Sequence, residues 1–398
     1  MIPQQKLSLL GGERPLWIHA VSVGEVQAAV PFIKAARDDG FAGKIVLSTT
    51  TQTGRAMAER LGSGLYDFHI YYPWDKMKFV KRALDALNPA AFAAAETELW
   101  PNMLYECKRR GIPAFLVNGR VSDRTWRRIS GGFFKYAASR AFSLFECIFL
   151  RDEEDARRLS SIGVDRKKML VTGDAKVDAL LARKNIASRD EWLDKLGRDR
   201  PIYIAGSTHT GEDEKALYAF EQLRAAEPEA RLIIAPRHPE RADSVCKLIP
   251  DKYNFAKLSS PISPEWDILV VDRIGCLFDL YGTARSAFVG GSFTDNGGQN
   301  ILEPFSWGVP LQYGPHMEDF AQASRAFIAM GAADQVADEK ELAAAWIRVA
   351  ESKDGEKWHE LSREYFERSR GASMRAWKII KKSILLEEDR CRQRSTVN

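Results

Sequence analysis

The sequence predicts an α/β protein made of two successive doubly wound domains facing a central cleft. Three observations predict it. A chain of 398 residues exceeds what one ordinary hydrophobic core organises. Short apolar runs alternate with helical stretches through the first half, the mark of a parallel sheet covered on both faces. A polar, charge-rich segment then interrupts the pattern, and the same alternation begins again.

In the first domain, residues 1–178, strand-length apolar runs fall at Leu16–Val21, Lys44–Thr49, Ala90–Ala95, Pro113–Asn118 and Cys147–Leu150. Helical stretches lie between them, at Val26–Asp38, Gly54–Arg60 and Asp75–Leu87. The charged segment Ala179–Arg200 is expected to be the interdomain connection. The second domain, residues 201–386, restarts at Pro201–Gly206 and continues through Arg231–Pro236, Asp267–Val271, Ala287–Gly290 and Pro310–Tyr313. From Lys340 to Glu388 the spacing is helical, with Trp346, Trp358, Leu361, Tyr365 and Trp377 as apolar contacts. Residues 387–398 read as a disordered polar tail.

Composition excludes several function classes. A net charge of +4 is small for this length and argues against a dedicated nucleic-acid binder. The five cysteines are scattered, with no C-x-x-C pair, and the six histidines show no ligand spacing, so no metal is expected. Met1–Arg14 does not read as a secretory signal, and no run reaches the roughly 18–20 apolar residues that span a bilayer. A cytoplasmic protein is expected, free to lie on a membrane surface.

Ligands of open α/β sheets sit beyond the carboxyl ends of the strands, so the residues following each strand are the candidates. After the first run comes Ser22-Val23-Gly24-Glu25 at a helix start. Glu25 can take a proton from an attacking hydroxyl there; the plain alternative is an acid that favours the positive helix end. Glu96 and Glu98 follow Ala90–Ala95. Two acids at this spacing share one face of an extended segment, and serve either a sugar or an internal ion pair. The hydroxyl- and glycine-bearing loops Thr49–Gly54 and Asn118–Ser122 suit a polar ligand but are common in such folds.

In the second half, Ser207, Thr208 and His209 lead into a helix whose amides can receive a phosphate. Arg237 and His238 follow Pro236 and can pair with one, unless the loop is simply solvated. Gly290-Gly291 and then Gly297-Gly298-Gln299-Asn300-Ile301-Leu302-Glu303 suit a phosphate on backbone amides and a ribose diol on Glu303.

Taken in order, these segments resemble the bacterial Kdo (3-deoxy-D-manno-octulosonic acid) transferases of lipopolysaccharide synthesis. The resemblance runs through Trp17–Glu25, Glu96–Asn102, Asn118–Arg120, Gly173–Asp178, Ala205–His209, Pro236–His238, Gly297–Pro304 and Gly314–His316. It departs at Gln299 and Asp174, where the family often has His and Asn. It implies a GT-B enzyme of two Rossmann-like domains that needs neither metal nor cofactor. Kdo would pass from CMP-Kdo to a lipid A precursor with inversion. By the same resemblance Glu25 is the proton acceptor, and Glu96 and Lys176 stabilise the transition state, with Glu98 in the same motif. Pro236, Arg237, the Ile274-Gly275-Cys276 turn and Asn300 through Glu303 would bind CMP. Rival readings are a sugar-nucleotide epimerase on the same scaffold and a non-catalytic nucleotide-sugar binding protein.

One further segment concerns the membrane. Arg120, Arg124, Arg127, Arg128, Lys135 and Arg140 stand against a single acid, Asp123, interleaved with Trp126, Phe133, Phe134 and Tyr136. Such a mixture suits an anionic lipid surface, here the cytoplasmic face of the inner membrane. The alternative is a solvated basic helix whose aromatics pack inward.

Overall fold

The computed structural model describes residues 2–352 and 355–396. They divide into two compact units: residues 2–179 together with 368–396, and residues 180–367.

The first unit holds a seven-stranded parallel sheet: β1 (Leu16–His19), β2 (Ile45–Thr49), β3 (Phe68–Tyr71), β4 (Ala91–Ala95), β5 (Ala114–Gly119), β6 (Cys147–Leu150) and β7 (Met169–Val171). Their order across the sheet is β3-β2-β1-β4-β5-β6-β7. β1, β2, β4 and β5 are buried along their whole length, which is why they read as unbroken apolar runs. The alanines of β4 (AFAAA) are small enough for neighbouring elements to pack closely on both faces. Below the helices, Trp17, Phe92 and Phe115 fill the core.

The second unit repeats the plan with β8 (Ile202–Thr208), β9 (Arg231–Pro236), β10 (Phe255–Lys257), β11 (Ile268–Val270), β12 (Ala284–Val289), β13 (Leu311–Tyr313) and β14 (Ala333–Gln335). Here the order is β10-β11-β9-β8-β12-β13-β14, again with parallel pairs throughout. The expected strands are present. β3, β7, β10 and β14 were not expected; three of them are only three residues long, and all lie at or beside sheet edges.

Three expectations are corrected. The segment 179–200 is not a separate connection: the helix Ala175–Asn185 runs through the boundary, and the helix Arg189–Leu196 belongs to the second unit. The C-terminal helix Ala372–Thr396 belongs to the first unit rather than the second. Trp377 is buried against Phe32 and Phe41 at ring distances of 6.1 and 4.9 Å, and its indole donates to Asp39 at 3.0 Å. Asp178 accepts the amides of Gly371 and Ser373 at 2.6 and 2.8 Å at the head of this helix. The approach is so close that a Cβ on Gly173 would lie 2.6 Å from the Ser369 carbonyl oxygen. Thirdly, the tail is not disordered along its length, since the helix continues to Thr396; residues 397–398 of that expected tail lie outside the described residues.

Candidate active site

The first sheet reverses direction between β1 and β4, the point at which a doubly wound sheet opens a crevice beyond its strand ends. Acids follow both strands. After β1, Ser22 caps the helix Val23–Asp38. Glu25 folds back on it, and its Oε2 accepts both the Ser22 amide, at 3.0 Å, and the Ser22 hydroxyl. This capping box gives Glu25 the helix-capping role of the plain alternative. Both bonds fall on Oε2, so Oε1 faces no donor among the described residues.

After β4 the chain turns sharply. Glu96 has a left-handed φ of 59°, so residues 96 and 97 form a turn instead of the extended segment expected. Such a backbone costs a non-glycine residue about 1–3 kcal/mol and persists only where the surroundings enforce it. One enforcing contact is the ion pair between Lys176 Nζ and Glu96 Oε1, at 2.6 Å. Lys176 is itself held at the start of its helix. Asn118 Oδ1 accepts the Ala175 amide at 2.8 Å, and Asp174 Oδ1 accepts the Lys176 amide at 2.9 Å. Behind them Arg151 bridges Asp155 and Asp174 at 3.6 and 3.7 Å. Glu98 lies in the same group. Burial, with the charges of Glu25 and Glu96, pushes its carboxyl up to about 7, and the nearby Trp100 indole N–H offsets part of the rise. Glu25, the neighbouring Glu96 and Glu98, and Lys176 come from three separate stretches of the chain and form one charged cluster.

The hydroxyl loops serve the frame instead. Thr51 Oγ1 accepts the Gly54 amide at 3.0 Å as a helix cap, and Thr49 Oγ1 bonds His69 Nε2 at 2.9 Å.

The second sheet reverses between β8 and β12, and the loops after these strands meet. Their amides do not stand free for a phosphate as expected. The buried carboxylate of Glu212 accepts the amides of His209, Gly291, Ser292 and Phe293 at 2.7–2.9 Å. An internal anion therefore occupies the nest, and it welds the two loops together. A Cβ on Gly290 would lie 2.6 Å from the Ser207 carbonyl oxygen, so only glycine permits this approach. Thr208 is also internal: its hydroxyl donates to Asp213 at 2.5 Å, and Arg241 binds both the Thr208 carbonyl and Asp213.

The side chains left to meet a ligand are Arg237, His238, His209, Gln299 and Glu303. Arg237 and His238 are exposed beyond β9. The rings of His209 and His238 stand nearly perpendicular at 6.2 Å. Burial lowers the His209 pKa, Glu212 works against this, and His238, Arg241 and Arg237 lower it further. His209 and Gln299 flank the same glycine, Gly291. Burial raises the Glu303 carboxyl, against the pull of Arg183, Asn300 and Arg237. Arg183 lies 3.6 Å from Glu303 and packs over Phe278 at 4.1 Å, and it donates to the Gly275 carbonyl at 3.5 Å. Nothing in its local sequence marks this arginine.

In the turn Ile274-Gly275-Cys276, Ile274 is 88% exposed and Gly275 has φ 100°, while Cys276 is buried and presents no side chain. Ile301 is likewise buried, and Gly297 and Gly298 form a left-handed turn. Among the described residues no group of His, Cys, Asp or Glu is arranged to hold a metal ion.

The basic segment forms the helices Asp123–Ile129 and Gly132–Phe142. Arg124, Arg127 and Arg128 are exposed, and Arg120 is partly so. Phe133, Phe134 and Tyr136 are 78%, 63% and 63% exposed, whereas Trp126 packs against the core, contrary to expectation. No described helix is long and apolar enough to cross a membrane.

Two doubly wound units, each with polar side chains at its switch point, define the GT-B class of fold. Solved structures agree. UDP-GlcNAc 2-epimerase from Neisseria meningitidis superposes with TM-score 0.62 and 16% identity, covering 93% of this chain and 99% of its own. A second, from Listeria monocytogenes, gives 0.63 and 13%, over 95% and 98%. Sequence then separates the families that share this fold. The chain belongs to the 3-deoxy-D-manno-octulosonic acid transferases and is a glycosyltransferase. Residues 3–179 match the family described as 3-deoxy-D-manno-octulosonic-acid transferase (kdotransferase). The transferase of that name from Haemophilus influenzae is 35% identical over 79% of this chain and 73% of its own length. That from Bordetella pertussis is 34% identical over 81% and 76%, and that from Aquifex aeolicus 30% over 90% and 92%.

Proposed function

We propose that this chain transfers Kdo from CMP-Kdo to a hydroxyl of a lipid A precursor of the lipid IVA type, inverting the anomeric carbon without a metal ion. One observation carries the reading: Glu25, Glu96, Glu98 and Lys176 gather beyond one sheet of a chain belonging to this family. Glu25 takes the proton of the acceptor hydroxyl as that oxygen bonds to the anomeric carbon. The bond from this carbon to the CMP phosphate oxygen breaks, and CMP departs with the electron pair. Oε2 is committed to the helix cap, so Oε1 is the oxygen that receives the proton. The Glu96–Lys176 pair stabilises the charge that builds in the transition state.

In the second unit Pro236, Arg237, His238, the turn at Gly275 and Asn300 through Glu303 hold the CMP portion, with Arg237 on the phosphate and Glu303 on the ribose. The Glu212 nest supports this role indirectly, as it fixes the loops that carry His209 and Gln299. The acceptor bears acyl chains and is met at a bilayer. The exposed Phe133, Phe134 and Tyr136 among cations suit docking on the anionic cytoplasmic face of the inner membrane.

Mass spectrometry of products from CMP-Kdo and purified lipid A precursor tests the reading. The expected product is lipid carrying added Kdo, formed equally with EDTA present. Free sugar or an epimer with no lipid product would mark an epimerase, and binding without turnover a sensor. Activity lost in EDTA and regained with magnesium would refute the metal-free mechanism.

A further inference from the structure

Arg151 follows β6, the strand that lies between β5 and β7 in the first sheet. From this middle position its guanidinium reaches to both sides. Nη2 lies 3.6 Å from Asp155 Oδ2, and Nη1 lies 3.7 Å from Asp174 Oδ2. The backbone amide of Arg151 donates to the Gly119 carbonyl at the end of β5, at 3.3 Å. Asp155 is buried in the helix Glu153–Ser161, and Asp174 directly precedes the helix Ala175–Asn185. Two carboxylates drawn to one guanidinium would repel each other without it, and a buried charge left unpaired is costly. Burial pushes the Asp155 carboxyl up to about 6; Arg151 opposes this, the Asp152 charge adds to it, and the Val121 amide and Arg158 oppose it further.

Each of the two carboxylates gives its other oxygen to a backbone amide. Asp155 Oδ1 accepts the amide of Val121, in the loop after β5, at 2.7 Å. Asp174 Oδ1 accepts the amide of Lys176, in the segment after β7, at 2.9 Å. Both loops lead to the turn after β4, by separate routes. Lys176 Nζ pairs with Glu96 Oε1 at 2.6 Å. On the other side Arg120, next to Val121, accepts the Thr97 hydroxyl on its carbonyl oxygen. Glu96 and Thr97 are the turn itself, and the left-handed φ of Glu96 persists only where its surroundings impose it.

We propose that Arg151 is a positioning residue for the Glu96–Lys176 pair: by bridging Asp155 and Asp174 it ties together the two loops that hold the Glu96 turn. It acts through these carboxylates rather than on the substrate. The planar fork of arginine presents two nitrogens to two separate carboxylates, whereas a lysine ammonium is a single point charge. The consequence for catalysis rests on the transfer reading above; the bridge between the loops does not.

The test uses the full-length protein carrying Arg151→Lys, Arg151→Met, Asp174→Asn, or Arg151→Met with Asp174→Asn. Thermal melting identifies the variants that fold, and Arg151→Lys suffices if Arg151→Met does not. Backbone hydrogen exchange, read by NMR, is expected to quicken at Val121 and Lys176 in Arg151→Lys and Arg151→Met, with β1 and β2 unchanged. The kcat for Kdo transfer should fall by about ten- to a hundredfold per folded molecule, the scale of a displacement near 1 Å among reacting groups, at unchanged KM for CMP-Kdo. Asp174→Asn keeps an oxygen for the Lys176 amide and removes the charge that Arg151 meets. The double variant should therefore transfer Kdo as fast as Asp174→Asn alone, a recovery that general loss of stability would not produce. Unchanged exchange at Val121 and Lys176 in a folded variant overturns the bridge. Quickened exchange at full kcat overturns the positioning role, and a double variant as slow as Arg151→Met overturns the route through Asp174. If exchange quickens as expected but the parent itself transfers no Kdo, the bridge stands and the proposed function fails.

Discussion

Glu25 holds one carboxylate oxygen in its own helix cap and leaves the other open. Glu25→Gln keeps an oxygen for the Ser22 amide but removes the base. Transfer should fall by roughly 10²–10⁴-fold, the usual cost of losing general-base catalysis. CMP affinity, measured by calorimetry, should not change, and a loss of only a few-fold in rate would remove Glu25 from the base role. Glu98 gives a second prediction, with a definite sign. Its folded carboxyl titrates at about 7 against an ordinary 4.5. Between these values the native state keeps a proton that the unfolded chain has lost, so stability falls as pH rises through the window. Glu98→Gln should therefore gain melting temperature relative to the parent from about pH 4.5 to 7, with a constant difference above. Parallel curves across that range would contradict the raised pKa. In the second unit, Arg237→Ala should weaken CMP binding by about 1.5–3 kcal/mol, the worth of a charge-assisted hydrogen bond. Unchanged calorimetric affinity would take Arg237 out of the donor site.

Single elements explain why some motifs turned out to be framework. Glycine-rich loops after strands suggest phosphate binding, but here the amides serve the carboxylate of Glu212. That acid begins the helix Glu212–Ala226, in the chain nearly eighty residues before the loop it binds. The helix pair Asp123–Ile129 and Gly132–Phe142 behaves differently, for its three large apolar rings point away from the core while Trp126 anchors it. The protein should sediment with anionic vesicles at low salt and release as screening rises. Changing Arg124, Arg127 and Arg128 together to Glu should abolish that binding and spare CMP affinity. A triple variant that sediments like the parent would show that docking happens elsewhere.

Over the whole molecule, the last helix closes the first unit with a side chain drawn from the far end of the chain. Trp377 is buried between Phe32 and Phe41, and Lys381 pairs with Asp39 at 2.6 Å. Trp377→Ala should cost about 3–5 kcal/mol, the range for emptying a large aromatic site. The helix packs on the first unit, so hydrogen exchange should quicken more in β1 through β7 than in β8 through β14. Equal acceleration in both sheets would refute the assignment of this helix to the first unit.

The chain by itself determined the class of fold, the two-unit plan and the segments that follow the strand ends. Buried parallel strands are written as unbroken apolar runs, and turn residues mark their ends, so both signals are local. Glu25, Glu96 and Glu98 were legible as candidates because they follow β1 and β4, and ligands of such sheets sit just beyond the strand ends. Tertiary structure alone decided what each group faces. The left-handed turn at Glu96, the pairing of Lys176 eighty residues later, the Arg183–Glu303 contact and the return of Trp377 to the first sheet all join residues whose neighbours in sequence say nothing of one another. Short edge strands escaped notice for the same reason, since three residues carry too little periodicity to be read. Whether an amide, a carboxylate or an indole is spoken for depends on which distant groups arrive beside it, and only packing sets that.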